Sequence, residues 1–474
     1  MFLDDGINIF SFNLDSGELS AKANCFISGI QSFGTYFYEI ESNKYLILRL
    51  DENDYTDATR ILTILENDAT SDSEPVMLKI ATLNSLYLTN MVLSFNRSNN
   101  DVKIEIVDYS IYNTSYDDNT GATKMIADIV AGKVPDIYDL TNLPVDRYVA
   151  KNMLMDLYEF IDSDSEIKRE NYLENILSAC ERDGKLFELI PWYFISTVVG
   201  RTEDVGDNIG WTYNEFKQIV DSMSNMRPFS LSFTRYDFLK CALFLNTSEL
   251  IDWSSGNCYF DSDYFIDILE FSSTLPDKQD IFWDNESQDV FGGKQLLMYY
   301  ELNLINSVNT IRSLYHGDIT FKGFPASEGS GNVIITYLSL GISSASPHKN
   351  EAWNFVKEFL AEGYQNTIPL RCAMLPLMKS SLDKVMEAHR NQVATWNGIL
   401  ITGGLELKTY KEPDYDIPKA YELIYSADRV MRVDSDLMNI VLEDAEFFFA
   451  NDKSAEEVAR IIQNRVQIYV SEQS

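Results

Sequence analysis

The chain has 474 residues, with 38 Lys and Arg against 73 Asp and Glu, a formal net charge of −35. Such a surface repels nucleic acid and anionic lipid head groups, so neither is expected as a partner. Hydrophobic residues make up 45% of it, enough for packed cores, and the length suits about three domains. The acidity runs along the whole chain rather than gathering in a tail, which is the pattern of a solvated surface.

The five cysteines, Cys25, Cys180, Cys241, Cys258 and Cys372, form no C-x-x-C pair. Cys180 shares a helical face with Leu173, Ile176 and Leu177 and reads as a small buried hydrophobe. Sequence leaves open whether Cys241 and Cys258 pair. The histidines, His316, His348 and His389, have no metal-ligand spacing, so neither metal nor cofactor is expected. The longest apolar run, "LIPWYFISTVV", contains Pro191 and reaches about half the length that spans a bilayer. "MFLDDGINIF" has acids where a signal peptide has a basic start. The expectation is a cytosolic protein, or a chain that begins after its export signal.

Residues 1–75 read as β. Phe10, Phe12 and Leu14 alternate before the turn Asp15-Ser16-Gly17, and "TYFYEI", Leu46/Leu48/Leu50 and "TRILTIL" follow. These patterns predict four short antiparallel strands in one sheet, too little to bury a core alone. "INIFSFNLDSGEL" resembles the end of a β-propeller repeat, which suggests a remnant of a larger β module. "ENDATSDSEP", Glu66 to Pro75, has the composition of a linker.

From Val76 strands and helices alternate. "VMLKIATL" is followed by Leu88, Met91, Val92 and Phe95 at helical spacing, then "VKIEIVDY", then Met125, Ile126 and Ile129 before Ala131-Gly132, then "PDIYDL". A β-α-β-α-β order predicts a mostly parallel sheet in an α/β fold. Ligands of such sheets bind beyond the carboxyl ends of the strands, here Asn84-Ser85, Tyr109–Tyr112 and Asp139–Asn142. A second α/β region follows "LFELIPWYF". Thr212 and Glu215 have capping-box spacing, ahead of a stripe of Phe216, Ile219, Val220 and Met223. Ser454 and Glu457 repeat that spacing before Val458, Ile462, Val466 and Tyr469. The preceding stripe, Leu437, Val441, Ala445 and Phe448, predicts an antiparallel helix pair at the C-terminus.

"FKGFPASEGSGN", Phe321 to Asn332, is glycine-rich but matches neither G-x-x-x-x-G-K-[ST] nor G-x-G-x-x-G. A phosphate loop opens a helix, whereas "VIITYLSLGI" is β-like. The stretch therefore reads as chain passing from one body into a strand of another. Ser346-Pro347 then opens a helix with Trp353, Val356, Phe359 and Leu360 inward.

The run "FKGFPASEGSGNVIITYLSLGISSASPHKNEAWNFVKEFL" resembles the hinge, strand and helix of extracellular solute-binding proteins of carbohydrate ABC transporters, the maltose-binding-like group. "ATKMIADIVAGKVPDIYDL", "LYEFIDSDSEIKRENYLENILSACERDGKLFELIPWYF" and "GWTYNEFKQIVDSM" are similar to other parts of that family, in the same order. The resemblance spans residues 76–474 and leaves the N-terminal β region outside. It implies a two-lobe periplasmic-binding-protein-like fold of type II with three interlobe crossings, near Pro191–Ser196, Phe321–Pro325 and Ile368–Pro376. One lobe would be 76–192 with 326–370, the other 193–325 with 371–474, preceded by the region 1–75. Hinge closure around a ligand held between the lobes would be the working motion. It also implies an extracellular, cell-surface-anchored monomer whose partners are a carbohydrate ligand and the permease subunits of an ABC importer.

Sugars require aromatic faces for their C–H surfaces and planar polar groups for their hydroxyls. Trp192 and Tyr193, at the first implied crossing, are the expected stacking residues. Tyr299, Tyr300 and Glu301 in "LLMYYEL" match, in order, the place of a stacking aromatic in the family's second lobe. Asn84, Ser85, Asp139 and Thr141 are expected at strand ends, with Tyr112 near them and Trp396 as part of a wall; Trp253 reads as structural. Three readings of function arise: a non-catalytic carrier of a sugar or oligosaccharide, an acidic glycoside hydrolase, and a sensory ectodomain. A hydrolase needs two carboxylates about 5–10 Å apart, and no marked pair stands out in the sequence. The carrier reading is favoured.

Overall fold

The computed structural model describes residues 2–4, 8–24, 27–29, 36–41, 44–50, 60–66, 74–114, 120–141, 143–252, 255–277, 285–303, 306–368, 374–395, 399–402, 404–408, 412–432 and 434–473. Trp253, Trp396, Cys25, Cys372 and most of the predicted linker lie outside the described residues. The chain divides into two compact units, Met1–Leu157 with Leu338–Glu358 and Tyr158–Tyr337 with Phe359–Ser474. The backbone thus changes unit three times, at 157–158, 337–338 and 358–359.

The first unit contains a four-stranded sheet in the order Leu340–Ile342, Ile137–Asp139, Val76–Thr82, Val102–Asp108. The last three run parallel and the first is antiparallel to its neighbour. Leu78, Ile80, Ile104 and Ile137 are fully buried, while Lys79 and Glu105 next to them are exposed, so at this end the two strands alternate between a core face and a solvated one. The helix Thr89–Ser98 buries Val92 and Phe95. From it Asn96 donates through Nδ2 to the carbonyl of Ile104 at 2.9 Å and accepts from the Ile104 N–H at 2.7 Å, which satisfies the outer edge of Val102–Asp108 at that point. In the helix Thr120–Val130 only part of the expected stripe turns inward. Met125 is buried and Ile126 is exposed.

The N-terminal β region differs from the single four-stranded sheet expected. It forms two three-stranded antiparallel sheets, Phe2–Asp4 with Asn8–Phe12 and Leu19–Asn24, and Tyr36–Glu41 with Lys44–Leu50 and Arg60–Glu66. Leu14 is exposed in a turn where the Asn13 side chain accepts the Asp15 N–H at 2.9 Å. Asparagine supplies such local acceptors, and the bond ends the alternation that Leu14 would have continued. Phe2–Asp4 is too short, and Leu19–Asn24 too rich in small residues, to show an apolar period. The carbonyl of Gly29 accepts from Nη2 of Arg97 at 2.8 Å, tying the loop after the first sheet to the helix Thr89–Ser98.

The second unit is organised by the strand Trp192–Arg201, buried along all but its last residue. It pairs antiparallel with Leu297–Leu302, Ile319–Phe321, Val333–Ile335 and Leu375–Pro376, and Arg429–Val430 extends the sheet parallel to Val333–Ile335. Residues 158–192, 326–337 and 359–370 group with the second unit, whereas the sequence expectation, with divisions at 192–193, 325–326 and 370–371, put them in the first lobe. "FKGFPASEGSGN" accordingly links two strands that pair with the same strand, inside one unit. The Phe324 N–H donates to the Gly331 carbonyl at 2.9 Å, pinching the loop shut. Gly323 has φ +72°, and a Cβ there would stand 2.2 Å from the Ser330 carbonyl oxygen. The glycines serve close backbone approach, not an anion.

Helix signals hold where caps are strong. Both arms of the Thr212–Glu215 capping box are present at the helix Tyr213–Ser222. Thr234–Asp237 forms another box, unread in the sequence, ahead of Arg235–Leu245. The helices Ser435–Phe449 and Ala455–Gln473 pack on each other through Val441, Ala445, Val458, Ile462 and Val466, all fully buried. Cys180, Cys241 and Cys258 are free thiols, so Cys241 and Cys258 do not pair. Among the described residues no helix is long and apolar enough to cross a membrane. Replacing Gly323 by Ala forces a side chain into the Ser330 carbonyl at positive φ; a stability loss of more than ~1 kcal/mol is expected, read as a lower denaturation midpoint in urea.

Candidate functional site

In the first unit the carboxyl ends of the parallel strands carry a small polar relay. The Asn84 N–H donates to Oγ1 of Thr82 at 2.9 Å, and Thr82 Oγ1 donates to Oδ2 of Asp139 at 2.7 Å. The Thr141 N–H donates to the other carboxylate oxygen at 3.1 Å. Asp139 is 2% exposed. Burial pushes its carboxyl above the ordinary value, against the hydrogen bonds from Thr141 and Thr82 that favour its charge. Oδ1 of Asn84 accepts the Leu86 N–H at 3.1 Å, turning the chain, and the Ser85 carbonyl receives the first helical N–H groups. Asn84 is exposed and Ser85 half-buried. Around them stand apolar groups open to solvent: Leu86 at 68%, Ile111 at 73% and Tyr112 at 45% exposure. The structure thus gathers the expected residues Asn84, Ser85, Asp139 and Thr141 at adjoining strand ends. Tyr112 sits on the turn after Asp108, with its ring centroid 6.2 Å from that of Tyr109.

In the second unit the strand Leu297–Leu302 sorts its expected residues by alternation. Tyr299 and Glu301 lie opposite Val198 and Ser196, on one face, and Tyr300 lies opposite Thr197, on the other. The Tyr299 hydroxyl donates to Glu301 Oε1 at 2.6 Å and accepts from Ser196 Oγ at 3.2 Å. Its ring stacks on Phe233 and tilts against Phe324, each centroid 5.8 Å away. Burial, then the Glu301 carboxylate, raise the Tyr299 phenol well above its usual value, so it stays a donor. Tyr300 stacks on Phe321 at 6.0 Å and borders an open depression of about 360 Å³ with Glu286, Met298, Thr310 and Leu314.

Trp192 and Tyr193 correct the expectation of stacking faces. They are 1% and 0% exposed. Trp192 donates through Nε1 to the Tyr364 hydroxyl at 3.3 Å, and its carbonyl accepts from Thr336 Oγ1 at 3.0 Å. Both rings belong to the interior because their strand is paired and covered along its length. Sequence reading missed Ser196, Phe233 and Tyr337. Tyr337 is 43% exposed, with its ring centroid 5.6 Å from Phe194. It hides in the β-like run "VIITYLSLGI", where nothing separates an outward aromatic from a core one.

The sequence matches the bacterial extracellular solute-binding protein family over residues 90–389, and the chain belongs to that family. It is a binding protein of this class and not an enzyme. Among solved structures, the sugar-binding protein MalE from the phytopathogen Xanthomonas citri is similar, with a TM-score of 0.53 and 13% identity over 84% of this chain and 98% of that one. The ABC substrate-binding protein Lmo0181 from Listeria monocytogenes, solved in complex with cycloalternan, has a TM-score of 0.49 and 14% identity over 84% of this chain and 100% of that one. The MalE likeness gives the fold: α/β, two-lobed and periplasmic-binding-protein-like, preceded here by the small antiparallel sheets. No curated protein matches the sequence.

Two outcomes are expected. Trp192→Ala empties a core position and should cost about 3–5 kcal/mol of stability, measured by chemical denaturation. For Asp139, the folded carboxyl lies above its unfolded value of 3.8, so the fold favours the neutral form. That contribution is complete below the unfolded value and is lost as pH rises through the folded one. Asp139→Asn, neutral throughout, should therefore gain in melting temperature relative to the wild type as pH is raised from acid to neutral, in paired thermal melts.

Proposed function

We propose that the chain is the substrate-binding component of an ABC importer that captures a carbohydrate, an oligosaccharide in the first instance, and hands it to membrane permease subunits. One observation carries the reading. The uncharged side chains of Asn84 and Ser85 and the exposed apolar surfaces of Leu86, Ile111 and Tyr112 follow the ends of adjoining strands, near an aspartate whose charge burial disfavours. That mixture suits a neutral, polyhydroxylated solute, with hydroxyls on the polar groups and C–H faces on the apolar ones. Family membership and the likeness to a protein named as sugar-binding support it.

In the first unit the ligand contacts assigned are Asn84, Ser85 and Tyr112, with the buried Asp139 and the buried Thr141 hydroxyl behind them. In the second unit, taken by itself, the candidates are Tyr299 and Glu301 on one strand face and Tyr300 on the other. Trp192 and Tyr193 support the strand that carries Ser196. Each chain takes its ligand without help from a second copy, outside the cell and held at its surface. The net charge of −35 keeps nucleic acid away.

Purified protein is expected to gain thermal stability with a matching oligosaccharide, which chromatography then recovers intact. Tyr112→Ala should weaken binding by roughly fivefold, the scale of one modest contact, in titration calorimetry, with an unchanged melting temperature. Indifference to every mono- and oligosaccharide offered would remove the carbohydrate reading, and cleaved product would replace it with a hydrolase.

A further inference from the structure

The second N-terminal sheet has one covered face and one bare face. Register places Tyr36, Leu48 and Leu62 in one cross-strand row and Tyr38, Leu46 and Ile64 in the next. Directly paired residues share a face, so six apolar residues form a continuous block. Tyr36, Tyr38, Leu62 and Ile64 are 64%, 56%, 62% and 57% exposed, and Ile40, at the bulge beside them, 46%. The other face supplies Tyr45 and Ile47, which are buried, Ile47 clustering with Ile9 of the first N-terminal sheet. The face that packs within the unit is therefore already used, and the bare one is in excess.

We propose, in place of the monomer that the family resemblance implies, that this bare face is the interface of a dimer, closed by the same face of a second copy. Area supports that occupant. The two tyrosines offer on the order of 150–250 Å² each and the three aliphatic residues somewhat less, so at these exposures the face holds roughly 500 Å² per copy. Two together come to about 1,000 Å², at the floor a specific interface must clear and the small end of the known range. Charge supports it too. At −35, two copies repel across most of their surfaces, but neither row contains a charged residue, and Glu39, opposite the buried Tyr45, belongs to the other face. A two-fold contact here is self-complementary and closes after two copies. It lies outside the matched residues 90–389, so it leaves ligand capture to each chain separately.

Sedimentation velocity on the full chain over a wide concentration range tests this. The mass is expected to rise from the 54.2 kDa monomer to twice that value and stop. Tyr38→Glu places an unpaired charge in the contact and should raise the dissociation constant by roughly 100-fold or more. Leu62→Glu should do the same, and Val130→Glu, at an exposed apolar residue elsewhere, should leave association unchanged. Circular dichroism checks that each variant is folded. A monomer at every concentration would overturn the proposal, as would association that all three variants weaken alike. A monomer that co-sediments with phosphatidylcholine vesicles would give the face to lipid instead.

Discussion

A strand buried along its length must find partners for its backbone inside the protein, because water cannot supply them. Trp192–Arg201 is such a strand, and four separate chain segments meet that demand: Leu297–Leu302, Ile319–Phe321, Val333–Ile335 and Leu375–Pro376. The rest of the second unit follows from this requirement. Residues as far apart as 192 and 376 are held in register, the glycine stretch becomes a closed loop between two pairing segments, and Tyr299, Tyr300 and Glu301 are presented from a strand whose position is fixed by six consecutive pairs. Side chains carried on a strand held this firmly need little further ordering.

The chemistry at the first unit's strand ends is compatible with a solute that has no charge. Of the carboxylates at these strand ends, Asp139 is tied by Thr82 and Thr141 and disfavoured as an anion by burial, while Asp108, opposite Thr82 in the sheet, accepts the Ser110 N–H at 2.8 Å. Apolar surface at Leu86, Ile111 and Tyr112 is left open where a solvated loop would ordinarily carry polar side chains. Several acids on helices are paired with cations: Asp128 with Lys124 and Lys133, Asp162 with Arg169, Glu443 with Arg465. Such exposed pairs contribute little to stability, and the large net charge acts mainly on solubility and on which partners are repelled.

The N-terminal sheets show what happens when a small β element is attached to an α/β fold. Six short strands cannot bury two faces of two sheets. They bury one face of the second sheet, around Ile47, Tyr45 and Ile9, and leave the other apolar and bare. The anchoring of this region to the first unit at one point is polar, through Arg97 and the Gly29 carbonyl.

Local pattern determined much of this protein by itself. The parallel β-α-β-α-β order, both capping boxes read at Thr212 and Ser454, the C-terminal helix pair and the polar strand ends at Asn84 and Asp139 all rest on periods and short spacings, which neighbouring residues alone enforce. Tertiary structure decided the rest. Whether Trp192 faces a ligand or a core depends on which distant segments cover its strand, and apolar composition reads the same in both cases. Whether the glycine stretch joins two bodies or two strands of one sheet depends on pairings more than a hundred residues apart in sequence. The split of the β region into two sheets, and the bare face that results, follow from long-range burial that no local period encodes.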